Sequence, residues 1–208
     1  MDEAGRGPAI GPMVVAAALF NEDDISNLLE MGVNDSKKLS QDRREELAEE
    51  IKDIALDYQY FIVSPRTIDQ VVLNNRRLRK LNYLTTMIMA KIIRDLSPDV
   101  AYVDACDVIP ERCKRQILRV LPYRPDLICE HNADVTYPAT SSASILAKVK
   151  RDSIIEDLHR EYGDFYSGYP SDEGTRAWLK SYFDEHREVP HFIRRSWLTV
   201  RKLLGEID

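Results

Sequence analysis

The sequence predicts an α/β fold, and three observations carry that expectation. Short apolar or alternating runs at residues 13–20, 58–63, 100–104 and 126–130 read as strands. Between and after them lie longer segments whose apolar residues recur every three or four positions, the spacing of one helix face. The chain has 208 residues with 44% hydrophobic content, enough to bury a real core and a length that fits one domain with a helical appendage.

The elements follow in order. Gly5, Gly7 and Gly11, interleaved with Pro8 and Pro12, predict a rigid loop with exposed backbone. Met13 to Phe20 is a continuous apolar run bounded by turn signals, the pattern of a strand covered on both faces. A short helix is expected from Asp23 to Met31. The loop Asp35-Ser36-Lys37-Lys38-Leu39 leads to Ser40, the N-cap of a helix through Ala55 with Leu47, Ile51 and Ile54 on one face. Tyr58 to Val63 alternates as a strand does. Ser64-Pro65 starts a helix to about Leu73, and Asn74-Asn75 breaks it. From Leu78 to Leu96 the residues Leu81, Leu84, Ile88, Ile92 and Leu96 recur at helical spacing, with Pro98 at the exit.

Val100 to Asp104 reads as a buried strand ending on a carboxylate, where open α/β sheets present ligand-binding groups. Pro110 to Leu121 is expected to be helical, and Asp126 to Glu130 to be a strand that carries the chain into a loop, His131-Asn132-Ala133-Asp134. A long helix bearing Lys148, Lys150 and Arg151 should begin around Thr140 to Ser142 and stop at Gly163. The loop Phe165 to Pro170 ends at Ser171, read as the N-cap of a helix to about His186, and Phe192 to Leu204 is read as a final helix.

The formal charge of -6 and a pI near 5.3 exclude a protein that coats nucleic acid by bulk electrostatics. Clustered carboxylates that bind cations would inflate the negative count. Cys106, Cys113 and Cys129 are odd in number and form no C-x-x-C pair, so neither a disulfide framework nor a zinc knuckle is indicated. The longest apolar run is too short to span a bilayer and no basic leader precedes it, so a soluble, cytoplasmic protein is expected.

Chemistry concentrates in the first seven residues, Met1-Asp2-Glu3-Ala4-Gly5-Arg6-Gly7. Two adjacent carboxylates precede a glycine-arginine-glycine turn, and in an extended segment they could both reach one ion only where a strand ends and the backbone turns. Glycine lets a ligand touch the backbone, and Arg6 adds a planar cation suited to phosphate. Phosphodiester hydrolysis needs an oriented water, charge neutralisation and a stabilised leaving oxygen, which two divalent ions about 3.5–4 Å apart can supply. Asp2, Glu3, Asp104 and Asp134, each at an expected strand end or in a loop, form an all-oxygen ligand set suited to magnesium. They are the candidate catalytic and metal-binding residues. Asp107 and Asp152 are rival carboxylates, Asp152 being better placed for a salt bridge with Arg151, and His131 is close enough in sequence to Asp134 to assist proton transfer. The groups Arg76-Arg77-Arg79-Lys80 and Arg194-Arg195-Arg201-Lys202 are candidates for tracking a nucleic-acid backbone.

Asp2-Glu3-Ala4-Gly5-Arg6-Gly7-Pro8, the Asp35-Ser36-Lys37 loop, Ala143-Ser144-Ile145-Leu146-Ala147-Lys148-Val149-Lys150-Arg151-Asp152 and Gly168-Tyr169-Pro170 together resemble type 2 ribonuclease H, ribonuclease HII, in order and spacing over nearly the whole chain. The Arg194-Arg195-Ser196-Trp197 ending is most similar to archaeal members. The resemblance implies a ribonuclease H-like fold, a central mixed sheet flanked by helices, with residues 1–162 as catalytic core and 163–208 as a C-terminal helical segment packed on it within one structural domain. It implies cleavage of RNA in RNA/DNA hybrids and cutting 5′ of ribonucleotides embedded in duplex DNA, by two Mg2+ or Mn2+ ions, leaving a 3′ hydroxyl and a 5′ phosphate.

Carried onto this chain, Asp2, Glu3, Asp104 and Asp134 match the family's metal-binding carboxylates. Gly5, Arg6 and Gly7 would read the 2′-hydroxyl, the group that distinguishes RNA from DNA. Tyr169 would stack on the adjoining deoxyribose, and Lys37 and Lys148 would hold phosphates. One departure concerns the start. The family's acidic pair follows several apolar residues, whereas only Met1 precedes Asp2 here, which leads to the expectation of a true start upstream or of a truncated form. The alternative reading is accordingly a catalytically impaired duplex-binding module. A third class, a metal-free hydrolase with paired carboxylates, leaves the Gly-Arg-Gly turn without a purpose. Arg201 to Asp208 shows no glutamine followed by paired aromatics, so no C-terminal sliding-clamp tether is expected, and the protein is read as a monomer without membrane contact.

Overall fold

A computed structural model describes residues 1–33, 39–73, 81–186 and 188–207. Its elements alternate as expected. β1 (Asp2–Ala4), β2 (Met13–Leu19) and β3 (Asp57–Val63) form a three-stranded sheet in that order, and β4 (Val100–Asp104) and β5 (Asp126–Glu130) form a parallel pair. The helices are α1 (Ile25–Glu30), α2 (Gln41–Ile54), α3 (Pro65–Leu73), α4 (Leu81–Leu96), α5 (Pro110–Val120), α6 (Ala133–Thr136), α7 (Pro138–Tyr162), α8 (Glu173–Glu185) and α9 (Leu198–Leu203). Among the described residues no helix is long and apolar enough to cross a membrane. The Asp35-Ser36-Lys37 loop and the Arg76 to Lys80 group lie outside the described residues.

Contacts divide the chain into two compact units, each discontinuous in sequence. The first comprises Met1–Ala4, Val14–Phe61 and Asn82–Lys150; the second comprises Gly5–Met13, Ile62–Leu81 and Arg151–Asp208. The division passes through the Asp2-to-Gly7 motif and through α7.

In the first unit β1 runs antiparallel to β2, with Asp2 opposite Ala16 and Ala4 opposite Val14. Met1 is buried; its N–H donates to Tyr102 O at 2.7 Å and its carbonyl accepts from Asp104 N at 3.0 Å, which joins the free edge of β1 to β4. The apolar run of β2 is buried from Met13 to Ala17, as its lack of alternation predicts. The N-terminal half of α7 is buried on every side from Thr140 to Ala147. Small residues allow that close packing, and their hydroxyls bond to backbone: Ser141 Oγ to Val33 O at 2.5 Å and Ser142 Oγ to Pro138 O at 2.9 Å.

The second unit has its own core, in which Ala9, Ile10, Leu158, Phe165, Leu179, Phe192, Ile193 and Val200 cluster. Ile10 and Ile193 form an isolated antiparallel bridge there.

The structure corrects four readings. α7 begins at Pro138, a residue suited to the first helical position because its missing N–H would be unpaired there. Asp172, not Ser171, caps α8, accepting from Gly174 N at 2.9 Å. Asp134 sits in the short α6 rather than in a loop. Residues 192–197 are not helical, and α9 starts only at Leu198, because Phe192 and Ile193 are spent on the core and the bridge.

Candidate active site

The carboxylates of the first unit are gathered by three neighbouring elements. Asp2, in β1, is 7% exposed and its Oδ1 accepts the N–H of Glu3 at 2.7 Å. Burial raises the affinity of Asp2 for its proton, and the charge of Asp104 acts in the same direction. A hydrogen bond from Ser144 of α7 opposes the shift. Ser144 also accepts from Lys148 one turn later, Nζ to Oγ at 2.8 Å, so Lys148 is tied to Asp2 through one hydroxyl.

Asp104 ends β4, and its Oδ1 accepts from Ala133 N, the first residue of α6, at 3.1 Å. It therefore serves as the anion at that helix start. The chain reaches α6 through Asn132 in the left-handed region, φ 58°, a conformation asparagine tolerates well. Asp134 follows directly and is buried. β1 alternates buried, half-buried, buried, as a paired strand does, which puts Glu3 on the opposite face from Asp2. The strand thus continues through the acidic pair and turns only after Ala4.

The rivals have other partners. Asp107 is buried, accepts Ile109 N at 3.0 Å and is gripped by Arg112, whose Nε lies 2.8 Å from its Oδ2. Asp152 stands 3.7 Å from Arg151. His131 is exposed, with Nε2 at 3.3 Å from Val108 O.

The donor set of the buried carboxylates is hard oxygen throughout, which fits magnesium or manganese. Among the described residues no three Asp, Glu, His or Cys side chains form a ready cage. Magnesium does not require one, since it keeps several waters and takes one or two carboxylates with substrate phosphate. Asp2 fits that use, because a cation beside it would offset the burial that disfavours its charge.

In the second unit the Gly-Arg-Gly turn is fixed from behind. Gly5 has φ +78°, and a Cβ there would strike the Arg151 side chain and lie 2.7 Å from Pro12 O, so only glycine fits. A Cβ on Gly7 would stand 3.3 Å from the ring of Tyr169, which brings Tyr169 against the turn. Arg194 is fully buried and donates to three carbonyls: Nε to Gly11 O at 3.0 Å, Nη1 to Arg6 O at 2.9 Å and Nη2 to Gly5 O at 2.5 Å. Burial, with Arg151 nearby, pulls the Arg194 guanidinium down to about 9. Trp197 Nε1 completes the set, donating to Gly7 O at 2.8 Å.

Asp2, Glu3, Asp104, Asp134 and Lys148 thus fall in one unit, where Asp2 feels the charge of Asp104 and Lys148 reaches Ser144, and Gly5, Arg6, Gly7 and Tyr169 fall in the other. Lys37 lies outside the described residues. The sequence reading missed Ser144 as a partner of Asp2. It also missed what Arg194 and Trp197 do at the turn: Arg194 stood in a basic group read as a candidate for tracking a nucleic-acid backbone, and both stood in the ending similar to archaeal members. Arg194 is instead buried in protein, and Arg195 pairs with Glu206 at 2.5 Å.

Known proteins resemble this chain over nearly its whole length. The Ribonuclease HII family model matches residues 1–200. A Ribonuclease HII from Pyrococcus furiosus is 46% identical over 205 residues, covering 98% of this chain and 89% of that protein. One from Methanosarcina mazei is 42% identical over 216 residues, covering 100% and 96%. Among solved structures, the ribonuclease H2 from Pyrococcus horikoshii OT3 matches with a TM-score of 0.91 at 40% identity, covering 99% of this chain and 95% of that one. The chain of a PCNA:RNase HII complex from Archaeoglobus fulgidus matches with a TM-score of 0.85 at 45% identity, covering 97% and 94%. With its mixed α/β architecture and near full-length matches of this kind, the chain belongs to the ribonuclease HII family and is a nuclease.

Proposed function

We propose that this protein is an endoribonuclease that hydrolyses the RNA strand of RNA/DNA hybrids and cuts 5′ of ribonucleotides embedded in duplex DNA, leaving a 3′ hydroxyl and a 5′ phosphate. The observation that supports it most is the buried Asp2 carboxylate held beside the charge of Asp104, an arrangement whose electrostatic cost a divalent cation relieves. In this reading Asp2, Glu3, Asp104 and Asp134 hold two Mg2+ or Mn2+ ions, which when bound activate water and neutralise charge on the scissile phosphate.

The protein's own groups do the rest. Ser144 and the N–H of Glu3 orient Asp2, and Ala133 N orients Asp104. Two residues beyond Glu3 in the chain, Gly5-Arg6-Gly7 reads the 2′-hydroxyl through backbone that no Cβ shields. Tyr169, 43% exposed, offers its ring to the neighbouring sugar. Lys37 and Lys148 hold phosphates. The Archaeoglobus fulgidus relative was solved with PCNA, and a clamp tether is no part of the proposal for this chain.

The test is a DNA duplex carrying one ribonucleotide, alongside an RNA/DNA hybrid, with Mg2+ or Mn2+ and with chelator. Metal-dependent cutting 5′ of the ribonucleotide is expected. Duplex binding without cutting would leave the impaired binding module as the reading, and cutting that chelator does not stop would refute the metal mechanism. Asp104→Asn should lower kcat about a thousandfold, the several kcal/mol a lost metal ligand costs the transition state, with duplex affinity largely kept. Loss of binding with normal residual cleavage would contradict the assignment.

A further inference from the structure

All three carbonyls of Gly5-Arg6-Gly7 are held by one short segment of the chain. Arg194 takes those of Gly5 and Arg6, and Trp197 that of Gly7. A trans peptide group points its N–H opposite to its C=O. Fixing the Gly5 and Arg6 carbonyls therefore also fixes which way the N–H groups of Arg6 and Gly7 face. A flexible glycine turn has no such orientation of its own, because glycine populates both signs of φ.

The choice of side chains suits this task. Guanidinium is a rigid planar fork with five donors, so one Arg194 reaches Gly5, Arg6 and Gly11 at once. Converging carbonyl dipoles are also what allows its charge to lie fully buried. The Trp197 ring lies 4.9 Å from the Arg194 guanidinium carbon, which packs the two donors against each other. Their backbone is pinned in turn by Asp69 of α3, whose carboxylate accepts from Arg195 N at 3.0 Å and Ser196 N at 2.9 Å. None of these residues is needed for the metal-binding group, which lies in the other unit.

We infer that Arg194 and Trp197 are positioning residues for ribose recognition: they set the peptide groups of Gly5-Arg6-Gly7 in the orientation that distinguishes a 2′-hydroxyl from a 2′-hydrogen. This inference rests on the proposed sugar-reading role of the turn. It makes selectivity between ribonucleotide and deoxyribonucleotide a property of the C-terminal segment as much as of the glycines.

The experiment measures Kd by fluorescence anisotropy, in chelator so that nothing is cut, for a duplex with one ribonucleotide and for the same duplex in DNA alone. The full-length protein is compared with Trp197→Phe, which keeps an aromatic ring and loses only the donor to Gly7, and with Arg194→Lys, which keeps the charge and loses the fork. Trp197→Phe should lower the preference for the ribonucleotide duplex about fivefold, the effect of one lost hydrogen bond, with Kd for the DNA duplex within twofold of wild type. Arg194→Lys should lower the preference further.

Should Arg194→Lys fail to fold, Trp197→Phe decides alone, with its melting temperature as the control. A merely structural role would weaken both duplexes by the same factor, and that result, or an unchanged preference in a folded Trp197→Phe, overturns the inference while leaving the proposed function standing. Absence of any preference in the wild type overturns the sugar-reading role and this inference together.

Discussion

Asp2, proposed above as a metal ligand, shows how burial and a neighbouring charge act on a carboxylate. It is held above the usual carboxylate range, first by desolvation and then by Asp104, so its folded-state pKa exceeds the unfolded value near 3.8. The linkage sign follows: its favourable contribution is full below that unfolded value and is lost as pH rises through the folded one. At neutral pH without metal, the raised proton affinity of Asp2 therefore weighs against folding. Asp2→Asn keeps an oxygen for the Glu3 N–H and removes the charge. We expect it to raise the melting temperature in chelator at pH 7 by about 2–4 °C, roughly 1 kcal/mol for a chain of this size, with the gain vanishing toward pH 4. Millimolar Mg2+ should raise the melting temperature of the wild type and leave that of Asp2→Asn unmoved. Differential scanning fluorimetry at the two pH values, with and without metal, checks both; a variant less stable than wild type in chelator would show that the burial penalty is not the governing effect.

Helices and strands differ in how far local sequence determines them. The α2 start was readable because capping is local chemistry: Ser40 Oγ accepts from Arg43 N at 3.3 Å, as its position before an amphipathic run predicts. Ser40→Ala should accordingly cost about 1 kcal/mol, seen as a drop of about 2–4 °C in melting temperature with kcat unchanged. β2 and β4 were readable from apolar runs, and Asp104 from its place at a strand end. The short α6 was not, because its start depends on the Asp104 carboxylate, which is 29 residues from Ala133 in the chain. The segment before α9 misled for a similar reason. Phe192, Ile193, Arg194 and Trp197 have helical spacing in part, yet each is committed to a partner far away in sequence, Arg194 to Gly5 across 189 residues. Periodicity reports what a residue prefers locally, and those long-range contacts outweigh it. The same limit hid the role of Arg194. A buried arginine and a solvent-facing one look alike until the carbonyls around it are placed.

At the scale of the molecule the net charge of -6 constrains how a nucleic acid can be held. Many described basic side chains are already engaged with carboxylates, among them Arg43 with Glu50, Lys52 with Glu49, Arg112 with Asp107 and Arg195 with Glu206. Arg194, the most buried cation among the described residues, is turned toward backbone carbonyls. The phosphate contacts proposed for this chain are few, namely Lys37 and Lys148, with Arg6 as a planar cation suited to a third. Each phosphate neutralised on duplex DNA contributes about -0.9 to the slope of log Kobs against log salt, so three contacts give a slope of about -2.7. Binding of a ribonucleotide-containing duplex, measured in chelator over 50 to 300 mM salt, should show that shallow dependence, and Lys148→Gln should reduce the slope by about 0.9 for RNA-containing and DNA duplexes alike. A slope steeper than about -6 would mean that a wider basic surface tracks the duplex than these three residues provide. Affinity would then come from bulk charge. A shallow slope would instead leave selection to groups that touch the sugar, where the backbone of the proposed Gly5-Arg6-Gly7 reader would gain its discrimination from orientation and not from field strength.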